Sequence, residues 1–174
     1  MSTKLILIRH GEPRYDEVKE KNLPNMGYEL GKLTNRGIEQ AEWVAQDPLL
    51  KNAELIVSSP YTRALQTAAI ISRITQIPLV VEHDLHEWMP DKTFTFDFEV
   101  QKSYEEYILC QGQSHKDHKY PWETYEELQK RVKHALNKYK SYQKIIVVCH
   151  GVVMSAFTRF DDMIEFCGIR EAVI

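Results

Sequence analysis

Short unbroken apolar runs punctuate this chain at 5–8, 55–57, 79–81 and 145–148. They are rich in β-branched residues, the pattern of strands buried on both faces of a parallel sheet. Between them the apolar period lengthens to three and four. Thr34 opens one such stretch as an N-cap, with Ile38, Ala41 and Ala45 on one face until Pro48 ends it and Gly37 a weak point in the first turn. A second starts with Ser59 as cap and Pro60 at the first helical position, and carries Ala64, Ala68 and Ile71. A third opens on the capping box Thr124-Tyr125-Glu126-Glu127, buries Leu128, Val132, Ala135 and Leu136, and places Lys138 and Lys140 where their charge suits the helix dipole. Strand runs alternating with helical ones imply an α/β sandwich, and 172–174 offers it a last strand.

Residues 85–123 break the alternation. They hold Trp88, Phe94, Phe96, Phe98, Tyr104, Tyr107, Tyr120 and Trp122, with a helix-compatible stretch at 97–110 and a polar loop at 111–121. This segment reads as an insertion, either a satellite core or a lid over a ligand site. No repeat, low-complexity tract or Gly/Ser linker marks a boundary, so the expectation is a single domain over 1–174.

Composition narrows the function classes. At 174 residues, with 43% hydrophobic and 27% charged residues, the chain is an ordinary globular domain rather than a disordered one. Its 22 Lys+Arg against 25 Asp+Glu leave a net charge of -3, which argues against nucleic acid and anionic membrane as partners. Cys110, Cys149 and Cys167 are odd in number and far apart, as expected of reduced thiols in a cytoplasmic protein. The run at 5–8 is too short for a signal-peptide core, and nothing approaches the ~20 apolar residues of a membrane helix. No feature of the pattern points to a particular oligomeric state.

In an open parallel sheet, ligands bind beyond the carboxyl ends of the strands. Those positions carry Arg9-His10-Gly11, Ser58-Ser59-Pro60-Tyr61-Thr62-Arg63, the acidic stretch 82–87, and His150-Gly151. Two histidines, two arginines and a carboxylate are what phosphoryl transfer through a phosphohistidine needs: a neutral imidazole to attack, cations for the phosphoryl oxygens, and an acid for the leaving oxygen. Gly11 and Gly151 are expected to let the backbone approach a ligand. Arg63 is expected in the first turn of a helix whose free N–H groups also favour an anion. The two arginines should depress the pKa of His10 and keep it nucleophilic.

Five ordered segments resemble the histidine phosphatase superfamily, also called the phosphoglycerate mutase-like family. They are Arg9-His10-Gly11-Glu12, the stretch Leu33-Thr34-Asn35-Arg36-Gly37-Ile38-Glu39-Gln40-Ala41, the stretch from Val57 through Ser59-Pro60-Tyr61-Thr62-Arg63-Ala64 to Ala68, Leu85-His86-Glu87, and Val148-Cys149-His150-Gly151. The resemblance implies a three-layer sandwich with a mostly parallel central sheet and helices on both faces. It implies that His10 is phosphorylated, that Arg9, Arg63 and His150 hold the phosphate, and that Glu87 donates the proton and then acts as base toward water. The substrate implied is a small phosphomonoester, with no metal or organic cofactor. A phosphatase is the first expectation; a mutase is disfavoured by the chain's modest length and lack of extra substrate-binding insertions. A catalytically weak phosphate-binding module is the third reading, motivated by two departures: Asp16 stands where the family often has Asn, and the chain stops at Ile174 where members commonly extend further.

Plainer readings of the same residues are weaker. A histidine at a strand end is usually structural, but the neighbours of His10 and the Gly151 beside His150 reverse those odds. Glu82, Asp84 and Asp91 compete with Glu87 for the acid's role. His83 and His86, like His115 and His118, have metal-compatible spacing, yet no carboxylate or cysteine set is expected to complete a site. A cysteine phosphatase would place Arg six residues after its nucleophile, where this chain has Lys116, Ser155 and Val173. From Asp84 to Glu127, eleven Asp+Glu against four Lys argue mildly against highly phosphorylated substrates.

Overall fold

The computed structural model describes residues 2–174. The expected strands form: β1 (Lys4–Arg9), β2 (Leu55–Ser58), β3 (Leu79–Val81) and β4 (Lys144–Cys149), all parallel. The fifth, β5 (Ile169–Val173), begins three residues earlier than the pattern suggested and pairs antiparallel with β1. The strand order is β3-β2-β4-β1-β5.

Because side chains alternate across a strand, the apolar runs of β1, β2 and β4 feed two cores, whereas β3, expected to be buried on both faces, is an edge strand that leaves Val80 and Val81 exposed. Leu5, Leu7, Val57, Ile145, Val147 and Cys149 face one side, where Leu128, Val132 and Leu136 of α5 (Tyr125–Asn137) pack on them. Ile6, Ile8, Ile56, Ile146 and Val148 face the other, covered by Val44 of α2 (Asn35–Val44) and by Ala64, Ala68 and Ile71 of α3 (Thr62–Thr75). The result is a mostly parallel sheet with helices on both faces.

The helix signals hold with one correction. Thr34 caps α2 by accepting from Gly37 N at 2.9 Å, and the Thr124–Glu127 capping box is present on α5. Ser59, however, does not cap α3. The helix starts at Thr62 after an extended Tyr61, and the Ser59 hydroxyl, three residues before it, accepts from Tyr61 N at 3.3 Å and meets His150. Two short helices, α1 (Asp16–Glu20) and α6 (Gly151–Ser155), escaped the periodicity because five residues are too few to show it.

The insertion contributes α4 (Val100–Leu109), inside the helix-compatible stretch, followed by irregular chain. Its aromatics do not form a satellite core. Trp88, Tyr107 and Trp122 join the main cluster on the α5 side of the sheet, with Trp122 fully buried. Among the described residues no helix is long and apolar enough to cross a membrane.

Candidate active site

His10 follows β1, and its ring is 4% exposed. Nδ1 lies 2.8 Å from Gly11 O. A carbonyl can only accept, so Nδ1 carries the proton and Nε2 keeps its lone pair. On that nitrogen Arg63 Nε donates at 3.3 Å. Burial first, and the Arg63 charge next, push the His10 pKa down to about 3, so the imidazole is neutral over nearly the whole working range of pH.

His150 follows β4 and is fully buried, its ring centroid 5.3 Å from that of His10. Ser59 Oγ and His150 Nε2 are 2.7 Å apart, while His150 Nδ1 has no protein partner. Desolvation holds this ring neutral too, its pKa far below the usual value. Arg63 is the second residue of α3, whose start has no side-chain cap. Burial is the largest influence and works against its charge, but Glu29, whose Oε2 accepts from Nη1 at 2.5 Å, together with Tyr15 and Glu87 leaves the pKa raised.

Arg9, the last residue of β1, donates through Nη1 to Ile164 O and lies 4.4 Å over the Phe166 ring. Its Nε is buried without a partner. Glu87 is half-buried and accepts from Trp88 N at 2.8 Å through Oε1. Burial raises its pKa, partly offset by that hydrogen bond and the Arg63 charge. Arg9 and Glu87 line one cavity of about 580 Å³ together with Gly151 and the aromatic side chains Trp88 and Tyr104. The five residues singled out from the sequence are thus brought together at the carboxyl ends of the parallel strands.

Several expectations are corrected here. The Gly11 hydrogen that a Cβ would replace faces Gly37 rather than a ligand: a Cβ on Gly11 would lie 2.5 Å from Gly37 O, and one on Gly37 would lie 2.3 Å from Glu12 O. This contact, which only paired glycines allow, also explains the glycine in the first turn of α2. A Cβ on Gly151 would meet Arg9 Nε at 3.7 Å, an ordinary contact with the protein itself. Asp16 does not intrude on the phosphate position. It turns outward, half-exposed, and pairs with Arg14 through both Nε and Nη2. The pair His83 and His86 does have a carboxylate beside it, since the ligand atoms of His83, Asp84 and His86 lie within 4.8 Å of one another.

Other residues of the site carried no readable signal. Ser59 stood in a matched strand-end segment, but the role read for it was that of a helix cap. Glu29 sits in the 3-10 turn Asn25–Leu30 without any motif of its own, and Phe166 and Ile164 reach Arg9 from beyond the last matched segment. Thr67 Oγ1 accepts from Gly11 N at 3.0 Å and donates to Arg63 O at 2.8 Å, which ties the loop after β1 to α3.

A fold of this kind, with an Arg-His-Gly turn at the first strand and a second histidine at β4, has known relatives. Residues 5–161 match the model of the histidine phosphatase superfamily (branch 1), and the chain belongs to that family. It is 33% identical over 160 residues to a Hydrogenobacter thermophilus protein named "Putative phosphoserine phosphatase 2", covering 88% of this chain and 75% of that one. The solved alpha-ribazole phosphatase from Shigella flexneri superposes with a TM-score of 0.61 at 26% identity, covering 88% of this chain and 76% of that one. A phosphoglycerate mutase from Bacillus anthracis superposes with a TM-score of 0.67, covering 99% and 88%; at 17% identity that likeness is one of fold alone.

Proposed function

We propose that this protein is a phosphatase that hydrolyses a small phosphomonoester through a phosphohistidine on His10. The observation that carries the reading is the state of that ring: Nδ1 is committed to Gly11 O, and the unprotonated Nε2 is met by the guanidinium of Arg63. Arg9, Arg63 and the unpartnered Nδ1 of His150 supply contacts for the phosphoryl oxygens, so charge that spreads over them in the transition state is stabilised by groups already in place. Glu87, holding its proton to higher pH than a surface carboxylate, is the general acid.

In the first half-reaction His10 Nε2 forms a bond to phosphorus as the ester P–O bond breaks, and Glu87 gives its proton to the departing oxygen. An alcohol leaves, and Glu87 is now a carboxylate. In the second, that carboxylate takes a proton from water as the water oxygen attacks phosphorus and the P–N bond breaks. Inorganic phosphate departs with His10 and protonated Glu87 restored. No step requires a metal, so turnover is expected to persist in EDTA. The family, and the phosphatase names of relatives at 33% and 26% identity, support hydrolysis over isomerisation. The outward turn of Asp16 removes a motive for the binding-module reading. The three cysteines stand unpaired, which supports a reducing, cytoplasmic setting.

The test is turnover of p-nitrophenyl phosphate by wild type and by His10→Ala. Losing a covalent nucleophile is expected to lower kcat by at least ~10,000-fold, and rapid quench of the wild type should trap an acid-labile phosphoryl group on His10. A variant that keeps its rate, or, with a phosphorylated hydroxy acid as the substrate, release of an isomerised phosphoester in place of inorganic phosphate, would rule the reading out.

A further inference from the structure

One ionic contact has no role in that chemistry. Glu29 places a carboxylate oxygen 2.5 Å from Arg63 Nη1, with Arg63 8% and Glu29 25% exposed, and it lines the same cavity as Arg9 and Glu87. A carboxylate on a phosphate-binding arginine repels the incoming dianion at short range.

The other acids around the cavity are occupied in ways a ligand need not disturb. Asp162 pairs with Arg170 and Asp161 with Arg159, each at 3.0 Å, and Glu123 pairs with Arg131 at 2.7 Å. Glu106 accepts from Lys119 N and Tyr120 N, and Asp91 from Thr93 N and Phe96 N. Asp91, Glu106 and Glu123 are therefore internal scaffolding, while Asp97, Glu99, Glu105, Asp117 and Glu126 face solvent. Glu29 differs, because the group that pairs with it is one the phosphate would take. With Arg9 and Arg63 matched against two phosphate charges, Glu29 is left as an uncompensated anion beside the ligand.

The rest of the cavity says what could compensate it. Arg9 is the one cation among the described lining residues, and Trp88, Tyr104, Ile108 and Phe160 give the lining an apolar, aromatic character. Trp88 and Tyr104 stand edge to face with centroids 5.6 Å apart. A carboxylate next to aromatic rings is the chemistry that receives an ammonium or quaternary ammonium group. At about 580 Å³ the cavity has room for a leaving group as well as a phosphate.

We infer, building on the phosphatase reading, that the preferred substrate is a phosphomonoester whose leaving group carries a positive charge on a compact apolar body, with Glu29 as its counter-charge. The test uses two esters of one shape, phosphocholine and its uncharged carbon isostere 3,3-dimethylbutyl phosphate. Phosphate release is measured with wild type and Glu29→Gln, and dissociation constants are measured by calorimetry with His10→Ala and with His10→Ala/Glu29→Gln. Wild type should favour phosphocholine in kcat/KM by about tenfold or more, the scale of one contact to a charged group. His10→Ala should bind it with a similar preference. The Glu29→Gln substitution should bring both ratios to within about twofold of unity, while thermal melting confirms that the variants are folded. Taking the ratio cancels the gain both esters receive when Arg63 is freed. An unchanged ratio in the Gln variants, or a preference for the neutral ester, overturns the inference. Selective binding to His10→Ala without hydrolysis by wild type would instead overturn the phosphatase reading and leave the charge selectivity standing.

Discussion

The phosphate side of the site, and the cavity that shares Arg9 and Glu87 with it, are built on different principles. The phosphate side is assembled from strand ends: His10 follows β1, His150 follows β4, Ser59 follows β2, and all three are buried and hydrogen-bonded. Because a one-residue slip in a parallel sheet would exchange its two cores, the positions of these side chains are set as firmly as the core itself. The opposite side is the insertion, where irregular chain is held by buried acceptors. Asp91 collects Thr93 N, Phe96 N and the Thr93 hydroxyl, and this stabilises a turn in which Phe94 and Phe96 adopt left-handed backbone angles (φ 60° and 51°) that bulky residues disfavour. The chemistry sits on the rigid element, and the contacts to the variable part of a substrate sit on chain that the sheet does not dictate.

Perturbing each side in turn should separate them, and after the nucleophile itself Glu87, where rim and insertion meet, should give the largest effect. Glu87→Gln is expected to lower kcat on esters with poor leaving groups by ~100 to 10,000-fold while phosphate binding is retained. The pH profile should change with it. His10 is neutral above about 3, so kcat/KM should rise as pH climbs through that value. It should fall again as pH passes the raised pKa of Glu87, above the ordinary 4.5, and the Gln variant should lose that upper limb. Unchanged kinetics would move the acid role to another carboxylate.

Next in size, Trp122→Ala removes a fully buried indole and the Nε1 bond to Glu106 at 2.9 Å. The cost should be about 3–5 kcal/mol, or a melting temperature lower by roughly 6 to 20 °C for a domain of this size. Because the phosphate side rests on the sheet, p-nitrophenyl phosphate turnover per folded molecule should suffer less than turnover of a bulky ester. Equal losses would show that the two sides are not separable.

Ser59→Ala strips the partner from His150 Nε2 inside a buried site. That is expected to cost about 1–3 kcal/mol and to weaken vanadate binding, with Ser59→Thr restoring part of both. The smallest effect is expected from Asp16→Asn. Asp16 faces solvent and its partner Arg14 is also exposed, so kcat/KM should change by less than about twofold and the melting temperature should barely move. A large gain in phosphate affinity would mean that Asp16 swings inward when ligand binds.

Much of this was readable in advance for physical reasons that differ by region. Strands β1, β2 and β4 announced themselves because a run buried on both faces has to be apolar at every position, and β3, at the sheet edge with Val80 and Val81 exposed, by its β-branched run alone. The chemistry-bearing residues were findable because parallel strands deliver whatever follows them to one edge of the sheet, so Arg9-His10, Arg63 and His150, separated by up to 141 positions, needed only the strand assignments to be set side by side. Ser59 shows the limit: a serine before a proline and a helix is a good cap by local rules, yet its hydroxyl is taken by a histidine 91 residues away. Gly37 looked like a weakness until the close approach of the loop after β1 gave it a purpose.

The sequence by itself determined the α/β alternation, the parallel strands, the helix caps at Thr34 and Thr124, and which histidines and arginines stand at strand ends, because those depend on patterns within a few residues. Only the tertiary structure decided that Asp16 turns to Arg14, that Ile164 and Phe166 come back to hold Arg9, that Trp88, Tyr107 and Trp122 of the insertion join the main core, and that Glu29 rests on Arg63. Each of those contacts joins polar or aromatic groups whose local sequence permits several partners. The choice among them falls to whichever group the packed sheet brings within hydrogen-bonding or van der Waals reach.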